Sequence, residues 1–474
     1  MLQIGNIKTS LVQSISLFLN QALTKFFPPK WKSDIYIIRP HPTEAKILML
    51  SEDGSYFLPH VHVDECIDFE DLIGIESQIE PKLGFSVNIL YYARLDYDES
   101  KHQVECIYVS DKGSAESQQG DWIDSQILRT LSLKFPEHKS VIERYLTEIE
   151  SGDIPELRPP WAREGWLQAA TQWIDEKLLE LNYQRISPVE CIKSWGISCV
   201  LRVNTSRGKI YLKEASTLPL FCNEPLVTVE LANLFPVNVP NVLSIDNQRH
   251  WMLLADFGQP VGRNAPIKVQ KDIYRVFAQV QIKSVQYIDK LLSVGCLDRR
   301  LDWLATQIDV LFNDEIALSQ LQAEEIKQLK NLAPHLKKLC CQLASYQIPQ
   351  TLVHGDLHLG NVAFYQDNYL FFDWTDCCIS HPFFDMFELF FSRKNKPFTS
   401  KIKDLQKEYL AQWTDYEPMS RLLEAWKLAK PLCALHHAVS YKYIVACLEP
   451  RAKQELSNAL PRFLREVISA TTQL

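Results

Sequence analysis

Asp356, Asn361 and Asp373 have the side-chain types and spacing for chemistry on phosphate groups. Two carboxylates and a carboxamide are hard oxygen donors, the kind that hold Mg²⁺ jointly with phosphate oxygens. Asp356 and Asn361 stand in the order H-x-D-x-x-x-x-N, in which the Asp orients a hydroxyl and the Asn reaches a metal. Val362 to Tyr365 and Tyr369 to Phe372 read as short apolar strands, and Gln366-Asp367-Asn368 reads as the tight turn between them. Folding that hairpin returns Asp373 to Asn361. Phosphoryl transfer asks a protein mainly for positioning and charge neutralisation, and this set supplies both.

A different chemistry competes for the same residues. His354, Asp356 and His358 alternate, and a strand would place all three on one face as ligands of a hydrolytic transition metal. No further histidine cluster supports it, and Asn361, the hairpin and Asp373 have no part in it. A merely structural loop is the weakest reading, because so many polar groups would each need a partner.

The run H-G-D-L-H-L-G-N-V from His354, followed by Phe371-Phe372-Asp373-Trp374 and by His381-Pro382-Phe383-Phe384-Asp385, resembles the signature of the aminoglycoside-phosphotransferase family, relatives of the protein kinases. The resemblance spans residues of about 160–450. It implies Asp356 as the catalytic base and Asn361 and Asp373 as Mg²⁺ ligands. His354 would brace the loop and Asp385 would tie down the start of the following helix. It also implies ATP as the phosphoryl donor and a small molecule with a free hydroxyl as acceptor: an amino alcohol, a sugar or a related metabolite. Ser380 departs from the glycine usual in the family at that place.

The same resemblance assigns roles upstream. Lys213, in I-Y-L-K-E-A, would reach the nucleotide phosphates from a strand; taken alone it is an ordinary solvent-facing lysine. Its carboxylate partner is Glu224 or Glu230, which lie roughly 240° apart around a helix at about 100° per residue. Pro225 belongs in a helix's first turn, and that favours Glu224. Gly196, the one glycine in Ser194 to Ser198, would cover the phosphates. Leu254 to Asp256 would form the hinge that meets adenine, which makes Asp256-Phe257-Gly258 a coincidental copy of the protein-kinase magnesium tripeptide. Cys296 to Val310 and Ala425 to Tyr443, with Trp426, His436, His437 and Tyr441, would wall the acceptor site.

These residues need a scaffold, and the chain's texture suggests one. The expected fold is α+β: a bilobal protein-kinase-like body with a small β-rich lobe over 160–262 and a large helical lobe over 263–474, preceded by a separate α+β domain over 1–155. Strands are expected at Ile35 to Ile38, Lys46 to Leu50 and Tyr56 to Leu58, and a hairpin at Val87 to Leu95 and Val104 to Ser110. Helices are expected at Trp122 to Phe135, Val141 to Ile149, Trp161 to Leu181 and Glu224 to Leu234. The N-terminal part faintly resembles a Nudix domain through Phe57-Leu58-Pro59 and Leu83-Gly84-Phe85. Gln78, Pro81 and Lys82 stand where that family's metal-binding glutamates would be, so the likeness implies a silent accessory or partner-docking module.

A formal net charge of -8 argues against a protein that works by gripping nucleic acid. The 12 cysteines form no C-x-x-C pair, which disfavours zinc knuckles and fits free thiols in a cytoplasmic protein. Leu11 to Leu19 is too short and too interrupted to span a bilayer and reads as an amphipathic helix. The alternative to an active kinase is a catalytically silent, nucleotide-binding regulator. Retention of Lys213, Asp356, Asn361 and Asp373 together speaks against it.

Overall fold

The computed structural model describes residues 31–65, 72–112, 120–262, 264–391, 400–456 and 458–474. The amphipathic helix expected over Leu11 to Leu19 lies outside them. The chain divides into two compact units, residues 1–155 with 161–164, and residues 156–160 with 165–474.

The first unit contains β1 (Lys32–Ile38), β2 (Ile47–Glu52), β3 (Ser55–Phe57), β4 (His60–Val63), α1 (Leu72–Leu83), β5 (Ile89–Asp98), β6 (Gln103–Ser110), β7 (Asp121–Ile123) and α2 (Lys139–Ser151). A four-stranded sheet has the order β4-β1-β6-β5, with β6 parallel to β1 and antiparallel to β5. The expected hairpin is this β5–β6 pair. A second sheet, β3-β2-β7, packs with α2 around Ile38, Met49, Leu58, Ile142 and Leu146. The helix expected over Trp122 to Phe135 is not formed. Trp122 sits in β7 opposite Leu48, and only Ser125–Leu128 turns helically, capped by Asp124. The alternation of Asp121, Trp122 and Ile123 favours strand pairing, and Pro136 closes the stretch.

The second unit opens with α3 (Trp166–Glu180). It starts later than the apolar spacing suggests, because Gly165 adopts φ 80° before it and Pro160–Ala162 forms a separate tight turn. Then come β8 (Glu190–Ser194), β9 (Ser198–Thr205), β10 (Gly208–Ala215), α4 (Glu224–Leu234), β11 (Val242–Asp246) and β12 (Trp251–Ala255). The strands make one antiparallel sheet, β11-β12-β10-β9-β8, with α4 inserted after its central strand. This is the expected small β-rich lobe.

The helical lobe follows: α5 (Ile267–Ser284), α6 (Leu301–Phe312), α7 (Ala323–Ala344), α8 (Ser400–Ala411), α9 (Met419–Ala446) and α10 (Ala459–Thr472). Short strands β13 (Leu297–Asp298), β14 (Thr351–Val353), β15 (Val362–Tyr365), β16 (Asn368–Phe371) and β17 (Cys378–Ser380) lie among them. They form a β13-β17-β14 sheet and a β15–β16 hairpin. Residues 431–440 of α9 are buried without a break, which makes it the central helix of the lobe. Phe277, Leu336, Trp374, Trp413 and Leu435 belong to the same core. Among the described residues, no helix is long and apolar enough to cross a membrane.

Candidate active site

Lys213 leaves the central strand β10 between register partners Val200 and Met252. Its Nζ donates to Glu224 Oε1 at 2.6 Å, Asp373 Oδ1 at 2.5 Å and Thr375 Oγ1 at 2.9 Å. Glu224 opens α4, where the helix dipole favours a carboxylate. Glu230, the rejected candidate, pairs instead with Lys290 at 2.6 Å. Burial alone would push the Lys213 ammonium toward neutrality, but Asp373 and Glu224 outweigh it and hold its pKa above the ordinary value. Burial likewise opposes ionisation of Asp373, and Lys213 more than offsets that, keeping the carboxyl well below its usual range.

The loop after β14 is fixed from below. Asp385 accepts the backbone N–H groups of His354 and Gly355, each at 2.9 Å, and the Nε2 of Gln281 at 2.9 Å. Tyr409 donates its hydroxyl to Gln281 Oε1 at 2.7 Å. Asp385 was expected to secure the start of the next helix. It secures this loop instead, because its carboxylate meets two N–H groups that no strand satisfies. Burial pushes its carboxyl up to about 7.

His354 is fully buried, and burial lowers its pKa. Its Nε2 faces the Phe372 carbonyl at 2.9 Å, while Nδ1 accepts the Asp356 N–H at 3.4 Å. With both nitrogens engaged, it cannot share a metal with His358. Among the described residues, no group of three or more His, Cys, Asp or Glu side chains is arranged to hold a metal ion.

Gly355 has φ 84°, and a Cβ there would lie 2.4 Å from the Asp376 carbonyl oxygen. Both the torsion and the contact require glycine. Asp356 follows, its side chain 57 % exposed, with His358 Nε2 3.5 Å from Oδ2. Desolvation opposes ionisation of Asp356, yet the His358 contact holds the carboxyl below the ordinary value. The sequence left His358 without a role. Here its Nδ1 accepts the Gly360 N–H at 2.9 Å, which aims the ring at Asp356.

Asn361 donates Nδ2 to the Asp356 carbonyl at 3.0 Å, so its amide oxygen is left for the cavity that Asn361 lines. The β15–β16 hairpin turns through Gln366 at φ 49° and Asp367 at φ 62°, two left-handed residues as a tight hairpin turn requires. Phe372 then donates its N–H to the Asn361 carbonyl at 3.1 Å, which returns Asp373 to Asn361. Asp373 itself adopts φ 67°.

Two cavities meet this constellation. A cavity of about 390 Å³ is lined by Val200, Lys213, Met252, Leu254, Asn361 and Asp373. Asp256 is not among the residues that line it, and its Oδ1 instead accepts the Gly258 N–H at 3.0 Å. Gly196 lies in the β8–β9 turn, where its carbonyl accepts the Ser216 hydroxyl at 3.4 Å. A larger cavity of about 800 Å³ holds Asp356, Asp376, His437 and Tyr441 in its lining. The expectation for its wall is half met. His437 and Tyr441 line it, whereas Trp426 and His436 are buried in the core and no residue of 296–310 reaches it.

Sequence reasoning missed Thr375, Asp376, Gln281 and Tyr409. Thr375 Oγ1 lies 3.0 Å from both Glu224 Oε2 and Asp373 Oδ1, which closes the lysine's anion cage. Burial, then the nearby Asp356 and Asp373, push the Asp376 carboxyl up to about 8. An acid three positions after Asp373, across a tight turn, was the visible signal for it. Gln281 and Tyr409 read as helix-face residues and left none.

Residues 230–432 match the family model described as the phosphotransferase enzyme family. The match includes Asp356, Asn361, Asp373 and Asp385, while Lys213 and Glu224 precede it. No curated protein sequence matches the chain. Similar solved structures include a choline kinase from Streptococcus pneumoniae, 14 % identical, covering 64 % of this chain and 99 % of that one with TM-score 0.44. A Plasmodium vivax ethanolamine kinase is 12 % identical, covering 71 % and 94 %, with TM-score 0.45. A macrolide 2'-phosphotransferase type I is 12 % identical, covering 62 % and 97 %, with TM-score 0.44.

Proposed function

We propose that this protein is an ATP-dependent kinase that moves the γ-phosphate to a hydroxyl of a small molecule. One observation carries the reading. Asp356 opens onto the larger cavity while Lys213, Asn361 and Asp373 line the smaller one, so a phosphate chain from one side and a hydroxyl from the other would meet at the same loop. The family match over residues 230–432 supports it.

In this reading the apolar walls from Val200, Met252 and Leu254 take the base, and Lys213 turns toward the phosphates while Glu224 holds its stem. The Asn361 amide oxygen and the Asp373 carboxylate fit a Mg²⁺ ion, which usually takes one or two protein oxygens besides phosphate and water. Bound there, Mg²⁺ would neutralise charge on the phosphate oxygens. Asp356, ionised at neutral pH and aimed by His358, accepts the hydrogen bond of the acceptor hydroxyl and holds it in line. Asp385 and His354 keep the loop from yielding as charge shifts. The transition state is loose, so alignment matters more than proton abstraction. Residues 1–155 form an accessory unit in this reading. Glu76 on α1 accepts the Ile89 N–H on Oε1 at 3.0 Å.

The test is ADP release with Mg²⁺-ATP across a panel of hydroxyl compounds, wild type beside Asp356→Ala. Acceptor-dependent release that the variant loses is the expected outcome. Tight Mg²⁺-ATP binding with no release for any acceptor would make the chain a silent nucleotide-binding regulator.

A further inference from the structure

One row of side chains crosses the sheet of the small lobe. Lys193 on β8 is the register partner of Val200 on β9, Val200 of Lys213 on β10, and Lys213 of Met252 on β12. Directly opposed residues of antiparallel strands share a face, and all of these line the smaller cavity. Lys193 owes its place there to a bulge. The β8–β9 register shifts between Cys191 and Lys193, so Ile192 is an extra residue on β8. Such a bulge re-aims the side chain that follows it. Without the shift, Lys193 would stand opposite Cys199, which is 1 % exposed and alternates onto the other face from Val200.

The turn after Lys193 is poor in the groups that usually hold phosphates. A glycine-rich loop does so with backbone N–H groups. Ser194 to Ser198 has one glycine, Gly196, and the Trp195 N–H is used inside the turn, on the Ser198 carbonyl at 3.1 Å. The Trp195 indole N–H donates to Ser198 Oγ at 2.8 Å, which fixes the ring, and the Lys193 ammonium lies over that ring at 4.7 Å. The charges of the cavity wall leave room for a further cation. Lys213 stands between the carboxylates of Glu224 and Asp373, and Arg202 is held by Glu190 at 2.9 Å. Phosphates add more negative charge to that set. Lys193 is near enough to act on it: against the cost of burial, Lys213 first, then His354 and Lys193, favour the ionised Asp373 carboxylate.

We propose that Lys193 is a second phosphate-binding cation, which leaves the Trp195 ring and converges with Lys213 on the phosphate chain of the nucleotide, in place of the backbone N–H groups of a glycine-rich loop. This rests on the nucleotide site of the kinase reading and adds a residue to it. The two lysines start two strands apart, about 10 Å. Their flexible four-carbon stems let the ammonium groups close on one anion from two sides.

The experiment is calorimetric titration, in the presence of Mg²⁺, with adenosine and with a non-hydrolysable ATP analogue. Lys193→Met keeps the apolar stem and removes the charge. It weakens binding of the ATP analogue by about tenfold or more and leaves adenosine unchanged. Lys193→Arg restores part of the affinity, and the difference between wild type and Lys193→Met shrinks as salt is raised. Each variant is checked for an intact melting transition, and Lys193→Gln stands in should the Met variant lose it. An ATP analogue bound by Lys193→Met as tightly as by wild type overturns the proposal and leaves the kinase reading standing. An equal loss for adenosine also overturns it, because a disturbed β8 and not a missing phosphate contact would be the cause. A wild type that binds neither ligand removes the kinase reading and this residue's role together.

Discussion

Replacing Lys213 by Met removes the ammonium at the centre of the site and keeps the apolar stem. Glu224, 3 % exposed, is then left with the Trp374 N–H at 3.1 Å and the Thr375 hydroxyl at 3.0 Å as its remaining partners. Taking one partner from a buried ion pair costs about 3–5 kcal/mol. The two surviving hydrogen bonds place this case at the lower end, about 3 kcal/mol. In a unit of this size each kcal/mol shifts Tm by roughly 2 °C, so a fall of about 6 °C is expected by calorimetry at pH 7. The cost comes from an uncompensated charge, so Lys213→Met/Glu224→Gln recovers about half or more of it, a coupling of about 1.5 kcal/mol. Phosphoryl transfer falls by about 10²–10³ in both variants, because neither supplies the cation. A Tm within about 1 °C of wild type, or simple additivity in the double variant, would refute the argument that Lys213 neutralises buried anions.

Gly355→Ala combines the φ 84° torsion with a Cβ 2.4 Å from the Asp376 carbonyl. It should cost about 2–3 kcal/mol and lower ADP release by about 100-fold, because Asp356 moves with it. Gln281→Leu leaves the Asp385 carboxylate and the Tyr409 hydroxyl without their shared partner in the core, which urea unfolding should register as about 2–4 kcal/mol. In the first unit, burial raises the Glu76 carboxyl from 4.5 to about 7. Glu76 therefore binds its proton more tightly folded than unfolded, and its contribution to stability is full below pH 4.5 and is lost as pH rises toward 7. Glu76→Gln keeps an oxygen for the Ile89 N–H, so its Tm should gain on wild type across that window. A constant Tm difference from pH 4 to pH 8 would contradict the assignment.

The parts of the site legible in the sequence depend on local rules. The turn residues Gln366-Asp367-Asn368 fix the hairpin, the hairpin returns Asp373 to Asn361, and Pro225 places Glu224 at the start of α4. The lobes were legible for a similar reason, since β9 and β10 alternate about a polar turn and Pro225 marks the start of α4, although α4 buries Glu224 and Glu230 beside its apolar residues. What stayed hidden depends on tertiary contacts. Asp385 looks like a helix-start residue until β14 ends beside it with two unsatisfied N–H groups. Trp426 and His437 lie on one helix with the same aromatic character, and only packing decides which meets the cavity and which meets Phe383 and Phe390. Trp122 to Phe135 failed because pairing with β2 overrode the helical spacing of its apolar residues.

The Lys213–Asp373 contact joins a strand of the small lobe to the end of the β15–β16 hairpin in the large one. It therefore works as a latch. To move the two lobes apart, the protein must separate opposite charges in a place where water reaches only the Asp373 side. In the kinase reading proposed above, a nucleotide entering the smaller cavity would have to displace this contact. Lys213 is 8 % exposed in this contact, so salt should weaken the latch less than it would a surface ion pair. On that reading, the lysine proposed to meet the phosphates would also be the one that has to let go of Asp373 before they arrive.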